Sequence, residues 1–222
     1  MNNADELGLS EKMQVHLKKS LSTIKADIEQ MLATIDQKEC CILNEFEQIH
    51  SVFTDMQMTA ASYYLNAYLS PYTDRYMALS TALQHLSERN HGALIVVKRN
   101  DAFPTLVHSG IPVGADVSYT LLESIFYPGG PLHDGAVLVD KNQIVSAGNV
   151  LPVSKALREG KLGTRHRAAL GLSEISDALI LVVSEETGRV SFALNGTLYP
   201  VRPGEMDSRP VFSPDVAVPG GD

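Results

Sequence analysis

The chain has 222 residues, 44% of them hydrophobic, which suffices for one ordinary core and a smaller appendage. Its formal net charge of −8 argues against a polynucleotide partner, which would call for a basic surface. The adjacent Cys40 and Cys41 are the only cysteines, too few for a disulfide framework or a cysteine-based zinc site. No apolar run approaches the ~20 residues of a membrane span, and the first twelve residues lack the basic and apolar segments of a secretory signal. A cytoplasmic protein with neither nucleic acid nor membrane as a partner is expected.

From Leu9 to Ser70 there is no Gly or Pro. Leu17, Leu21, Ile24, Ile28, Met31 and Ile35 form one apolar seam at helical spacing. Ile42, Phe46, Ile49, Phe53 and Met56 form a second, out of phase with the first, and Asp36-Gln37-Lys38-Glu39 between them has the pattern of a helix-capping box. An antiparallel helical hairpin over residues 1–70 fits these seams better than the alternative, a single long helix with a stutter. Two helices cannot cover their own apolar stripes, so this unit should pack on the remaining chain or on another copy.

Ser70-Pro71 marks the next boundary. Tyr76, Leu79, Leu83 and Leu86 predict a helix that stops at Asn90-His91-Gly92, followed by the strand Ala93–Val97. Residues 118–126 read as a short helix with Ser118 as N-cap, closed by Tyr127-Pro128-Gly129-Gly130-Pro131. Residues 136–139 and 143–147 flank a turn and predict a hairpin. A helix over 165–175 and strands over 179–183 and 189–193 complete an α/β region at 71–200, a mixed β-sheet flanked by helices. The remainder, 201–222, is expected to be a flexible tail, in keeping with the prolines from Pro200 onward.

Three segments carry candidate chemistry. The first is Pro128 to Ala136, where an irregular Gly- and Pro-built backbone delivers His133 and Asp134 to the edge of a strand. Gly135 and Ala136 leave room beside that carboxylate, which can hold a divalent metal or accept a proton; a lone Asp-Gly is also ordinary turn chemistry. The second is Gly163-Thr164-Arg165-His166-Arg167. Thr164 is placed to cap a helix, and Arg165 and Arg167 can grip phosphate oxygens in bidentate fashion with His166 as a further donor. Cations oppose the dipole at a helix N-terminus, and a bound anion reconciles them. They belong to a cationic island (Lys155, Arg158, Lys161, Arg165, Arg167) interrupted only by Glu159, suited to a small polyanion. The third is Ser184-Glu185-Glu186, a hydroxyl and two acids after a buried strand, equally compatible with a solvated turn. Together the three describe a phosphate-plus-metal site.

These residues resemble the diadenylate cyclase domain. The matching stretches are Ser118–Leu122, Phe126-Tyr127-Pro128-Gly129-Gly130-Pro131-Leu132-His133-Asp134-Gly135-Ala136, Leu162–Ala169 and Val183–Gly188, covering roughly residues 75–200. The resemblance implies condensation of two ATP molecules into cyclic di-AMP with release of two pyrophosphates, assisted by Mg²⁺ or Mn²⁺. It implies that Asp134 contacts the metal and activates the ribose hydroxyl, with His133 as a second metal contact. Gly163, Thr164, Arg165, His166 and Arg167 would hold the triphosphate, with Ser184, Glu185 and Glu186 alongside. Gly135 and Ala136 would lie by the ribose and Leu151 by the adenine. It further implies a homo-oligomer of face-to-face dimers, with a hexamer as one form. The N-terminal helices resemble those of the variety found in sporulating bacteria, where they assemble the oligomer and restrain activity. A non-catalytic adenine-nucleotide sensor is the alternative reading, with a metal phosphohydrolase as a further rival.

Overall fold

The computed structural model describes residues 9–37, 42–103, 107, 110–155 and 162–202. Helix α1 (Glu11–Thr34) starts at Ser10, whose hydroxyl accepts from the Met13 amide, and runs into a 3-10 turn at Ile35–Gln37. Helix α2 (Leu43–Leu69) returns antiparallel: the Ser10 amide donates to the Tyr63 hydroxyl at 3.1 Å, while Met31 and Ile49 line one small cavity at the other end. The expected capping box is not how α2 begins. Asp36 lies in the 3-10 turn, Lys38 and Glu39 fall outside the described residues, and Ile42 precedes α2 with no side-chain cap.

The seams are only partly covered. Ile24 is buried, but Leu21 (50%), Ile28 (39%), Phe46 (51%) and Phe53 (50%) are exposed, because each helix of a pair shields one stripe of the other. The end of α2 behaves differently. Ala61, Leu65 and Leu69 are buried in the main core beneath the sheet, so no break separates the hairpin from the α/β region.

That region is a seven-stranded sheet in the order β2-β4-β3-β1-β5-β6-β7. Its strands are β1 (Ala93–Val97), β2 (Ile111–Asp116), β3 (Ala136–Asp140), β4 (Gln143–Asn149), β5 (Leu179–Val183), β6 (Val190–Leu194) and β7 (Thr197–Val201). Only β1 and β3 pair in parallel; all other neighbours are antiparallel. Both faces are covered, which is why β1 and β5 are buried at every position and read as unbroken apolar runs. One face packs on the end of α2, on α3 (Tyr76–Glu88) and on α4 (Tyr119–Ile125); the other packs on α5 (Thr164–Ser173). The Ser118 hydroxyl accepts from the Leu121 amide and caps α4, as its sequence predicts.

Strands β2 and β7, absent from the sequence reading, are the two edges of the sheet. Each contains proline, Pro112 and Pro200, which an edge strand tolerates because one side of its backbone has no ladder partner. Pro200 and Val201 therefore belong to the sheet rather than to a tail; residues 203–222 fall outside the described residues.

Helix α5 carries Gly171 where the segment Pro152–Ser154 crosses it. A Cβ there would stand 2.5 Å from the Ser154 amide nitrogen and 2.7 Å from the Val153 carbonyl carbon. Replacing Gly171 by Ala is therefore expected to cost about 1–3 kcal/mol through overpacking. Urea unfolding should display it as a lower midpoint at unchanged slope.

Candidate active site

Strand register brings distant segments to one end of the sheet. Ile95 pairs with Val137 in parallel, so two residues back along each strand Ala93 lies beside Gly135. Ala93 also pairs with Val183 in β5, Val183 with Val190 in β6, and Val190 with Val201 in β7. The starts of β1, β3 and β6 and the ends of β5 and β7 thus share one edge.

The turn before β3 is built from Gly129, at φ +81°, and from the Tyr127 carbonyl accepting from the Gly130 amide. His133 Nδ1 contacts the Gly130 carbonyl. A carbonyl only accepts, so the proton sits on Nδ1 and Nε2 is left as the acceptor. Gly135 has φ +122°, and a Cβ on it would come within 2.7 Å of Gly148 and 2.9 Å of the Asn149 carbonyl oxygen. No other residue fits there. Beneath it Asn149, 1% exposed, donates to the Ala136 carbonyl at 2.7 Å and accepts from the Gly110 amide at 2.7 Å. This buried tether fixes the turn. Asp134 is left exposed, and among the described residues no hydrogen bond or ion pair engages its carboxylate.

At the start of α5 the N-cap is Gly163, with extended backbone, not Thr164 as its side chain suggests; Thr164 is already helical. Among the described residues no side chain caps this end, which leaves its first amides available. Arg165 lies over Gly92, where a Cβ would fall 2.6 Å from its Cζ, and its Nη1 donates to Glu185 at 2.6 Å. That hydrogen bond, with the arginine's charge, holds Glu185 below the usual carboxylate range; His133 and His91 add to the effect from the segments before β3 and β1. Arg167 points elsewhere, its Nη2 reaching the Ser154 carbonyl at 3.5 Å. The two arginines therefore bracket the helix start from opposite sides instead of converging on one point.

A cavity of about 690 Å³ opens beside this helix start. Gly163, Thr164, Arg165, His166, Ser184, Glu185 and Glu186 line it, as do Arg189, Ser191, Leu198 and Pro200, which the sequence reading did not single out. Asp134, Gly135, Ala136 and Leu151 are not in its wall. Leu151 is buried with Ala136 against α5 on the β3 side. Lys155 is exposed, whereas Arg158, Glu159 and Lys161 fall outside the described residues.

A divalent cation fits this donor set in one way. Among the described residues no three His, Cys, Asp or Glu side chains are grouped to enclose an ion. The unengaged Asp134 carboxylate and His133 Nε2 suit an ion that arrives with substrate phosphates and keeps most of its shell from them.

Residues 80–198 match the family model described as DAC, DisA bacterial checkpoint controller nucleotide-binding. The chain belongs to this family, the diadenylate cyclases. Residues 4–72 match a second model, the N-terminal region of diadenylate cyclase CdaS. The chain is 54% identical to diadenylate cyclase CdaS of Bacillus thuringiensis over 88% of its own length and 98% of that protein. It is 48% identical to cyclic di-AMP synthase CdaS of Bacillus subtilis over 86% and 90%. Among solved structures it resembles a Bacillus cereus protein described as a hypothetical membrane spanning protein (53% identity, TM-score 0.72, 91% of this chain and 100% of that one). It also resembles a double mutant of DacA from Staphylococcus aureus (40%, 0.54, 56% and 83%). No helix among the described residues is long and apolar enough to cross a membrane.

Burial holds His166 below its ordinary pKa, with the Glu186 carboxylate opposing the effect. The folded chain thus prefers neutral His166 more strongly than the unfolded chain does. Its contribution to stability is full above the ordinary value of about 6.5 and is lost as pH falls from there through the lower folded value. Thermal unfolding of the His166→Gln variant is expected to show a shallower decline over that window than the parent. Identical slopes would contradict this assignment.

Proposed function

We propose that the chain condenses two ATP molecules into cyclic di-AMP, with the sheet edge holding one ATP and a second copy, face to face, presenting the other. The 3′-hydroxyl oxygen of one ATP attacks the α-phosphorus of the other. A new P–O bond forms there, the bond to the bridging oxygen of the β-phosphate breaks, and pyrophosphate departs with the electron pair. Repetition with the roles exchanged closes the ring.

Asp134 takes the hydroxyl proton in this scheme and, with His133, would hold Mg²⁺ or Mn²⁺. A bound divalent ion would neutralise phosphate charge and make the hydroxyl more acidic. Gly163, Thr164, Arg165 and His166 hold phosphate oxygens through the uncapped amides and cationic side chains, and Arg167 does so from the other flank. Ser184, Glu185 and Glu186 border the phosphates, Glu185 keeping Arg165 in position. Gly135 and Ala136 let the ribose approach, and the Leu151 backbone meets the adenine. The observation that carries the reading is the meeting, at one sheet edge, of an unengaged carboxylate with an uncapped cationic helix start.

Asp134→Asn is expected to bind ATP nearly as the parent does while losing turnover at least about a hundredfold, within the range for a general base. Chromatography of cyclic di-AMP formed with Mn²⁺ or Mg²⁺, beside calorimetric ATP titration, measures both. Equal loss of binding and rate would remove Asp134 from this role.

The N-terminal helices assemble and restrain the catalytic units in the cytoplasm, a reading supported by the exposed Leu21, Ile28, Phe46 and Phe53. Truncation must spare the buried Leu65 and Leu69. Removing residues 1–42 is expected to change the oligomer mass and raise the rate. Removing 1–70 strips the core and should lower the unfolding temperature instead. An unchanged mass and rate after the shorter truncation would make the helices passive.

A further inference from the structure

The cavity beside α5 extends away from Asp134, and this direction has chemical content. Along the shared edge the order is Gly135 before β3, Gly92 before β1, Ser184 after β5, Arg189 before β6 and Pro200 in β7. With strands about 4.8 Å apart, Arg189 lies three spacings, about 14 Å, from the Asp134 turn. Arg165 and Glu185 occupy the ground between them.

Arg189 differs from the other cations here. Arg165 is paired with Glu185, and Arg167 reaches the Ser154 carbonyl. Arg189 follows directly on the turn carrying Glu185 and Glu186, yet among the described residues neither acid pairs with it. Arg189 is exposed and lines the cavity, and among the described residues its side chain makes no hydrogen bond or ion pair. Its backbone, by contrast, is fixed: the amide donates to the Thr187 hydroxyl and the carbonyl accepts from the Ser184 amide. Beside it stand the Ser191 hydroxyl and the apolar Leu198 and Pro200, which narrow the far end.

In-line displacement places the attacking and leaving oxygens on opposite sides of the α-phosphorus. If the partner's 3′-hydroxyl enters on the Asp134 side, pyrophosphate must leave on the opposite side, where this cavity lies. We infer that the β6–β7 end of the cavity seats the departing pyrophosphate, with Arg189 gripping its terminal phosphate and setting its release. This rests on the reading above, in which the start of α5 holds the triphosphate.

The test uses the full chain with inorganic pyrophosphate, ATP and AMP as probes, each followed by calorimetric titration. Arg189→Ala is expected to weaken pyrophosphate and ATP by about tenfold, the loss of one charged hydrogen-bond donor, and to leave AMP unchanged. Arg189→Lys should recover part of the loss. Pyrophosphate inhibition of cyclic di-AMP synthesis should weaken in parallel. Unchanged pyrophosphate affinity, or equal loss for AMP and ATP, overturns the assignment, the second outcome pointing to a general disturbance of the fold. Arg165→Ala separates the two levels: if it alone weakens ATP, the clamp stands and Arg189 has no part. If Arg165→Ala leaves ATP affinity intact, the clamp reading itself fails.

Discussion

Parallel pairing of β1 with β3, inside a sheet otherwise antiparallel, is the constraint on which the active edge depends. It places the starts of both strands at one end, where antiparallel β5 delivers its C-terminal turn. Were β3 antiparallel to β1, the Asp134 turn would emerge at the far end, and no side-chain movement could return it to Arg165. Right beside this register lies the Gly135–Asn149 contact, where the chain has no room for a Cβ and a buried asparagine ties three segments together. Register sets the location of the turn, and this tether sets its conformation.

Charge is arranged with the same economy. Two arginines flank a helix N-terminus whose dipole disfavours them, and among the described residues only Arg165 has a carboxylate partner. Glu185 offsets part of that cost for Arg165, but its high exposure makes the contribution small. The positive potential is therefore largely unspent in the free protein and available to a polyanion. Cyclic di-AMP synthesis transfers charge onto a leaving pyrophosphate, the process such a field favours.

Much of this was legible from local patterns. The Ser118 cap of α4, the β3–β4 hairpin and the buried runs of β1 and β5 depend on neighbours in sequence, and the residues there announce them. The edge strands were not legible, because Pro112 and Pro200 read as breakers until one knows that a single side of each strand is paired. Thr164 read as a cap because threonine so often is one, whereas the extended backbone at Gly163 already supplies that position. Asn149 was invisible for another reason, since its partners Gly110 and Ala136 lie 39 and 13 residues away, and Arg189 stands out only once helix α5 closes a cavity beside it. Motif residues stand out by type, but supporting residues acquire meaning only through the register.

Helix α2 spans 27 residues with no described break, about 40 Å of continuous hydrogen-bonded rod. Its last turns are embedded in the core, and Ser62 and Asp55 hold Arg202, the residue just after β7. Tyr68 meets Phe192, which stacks on Tyr199 of that same strand. Strand β7 in turn supplies Leu198 and Pro200 to the cavity wall. The exposed Phe46 sits about 24 Å from Ser62 along this helix, whose later turns hold the strand that lines the cavity. The exposed stripe of the hairpin and the wall of the cavity are thus joined through one helix and the strand it holds, with no loop between them.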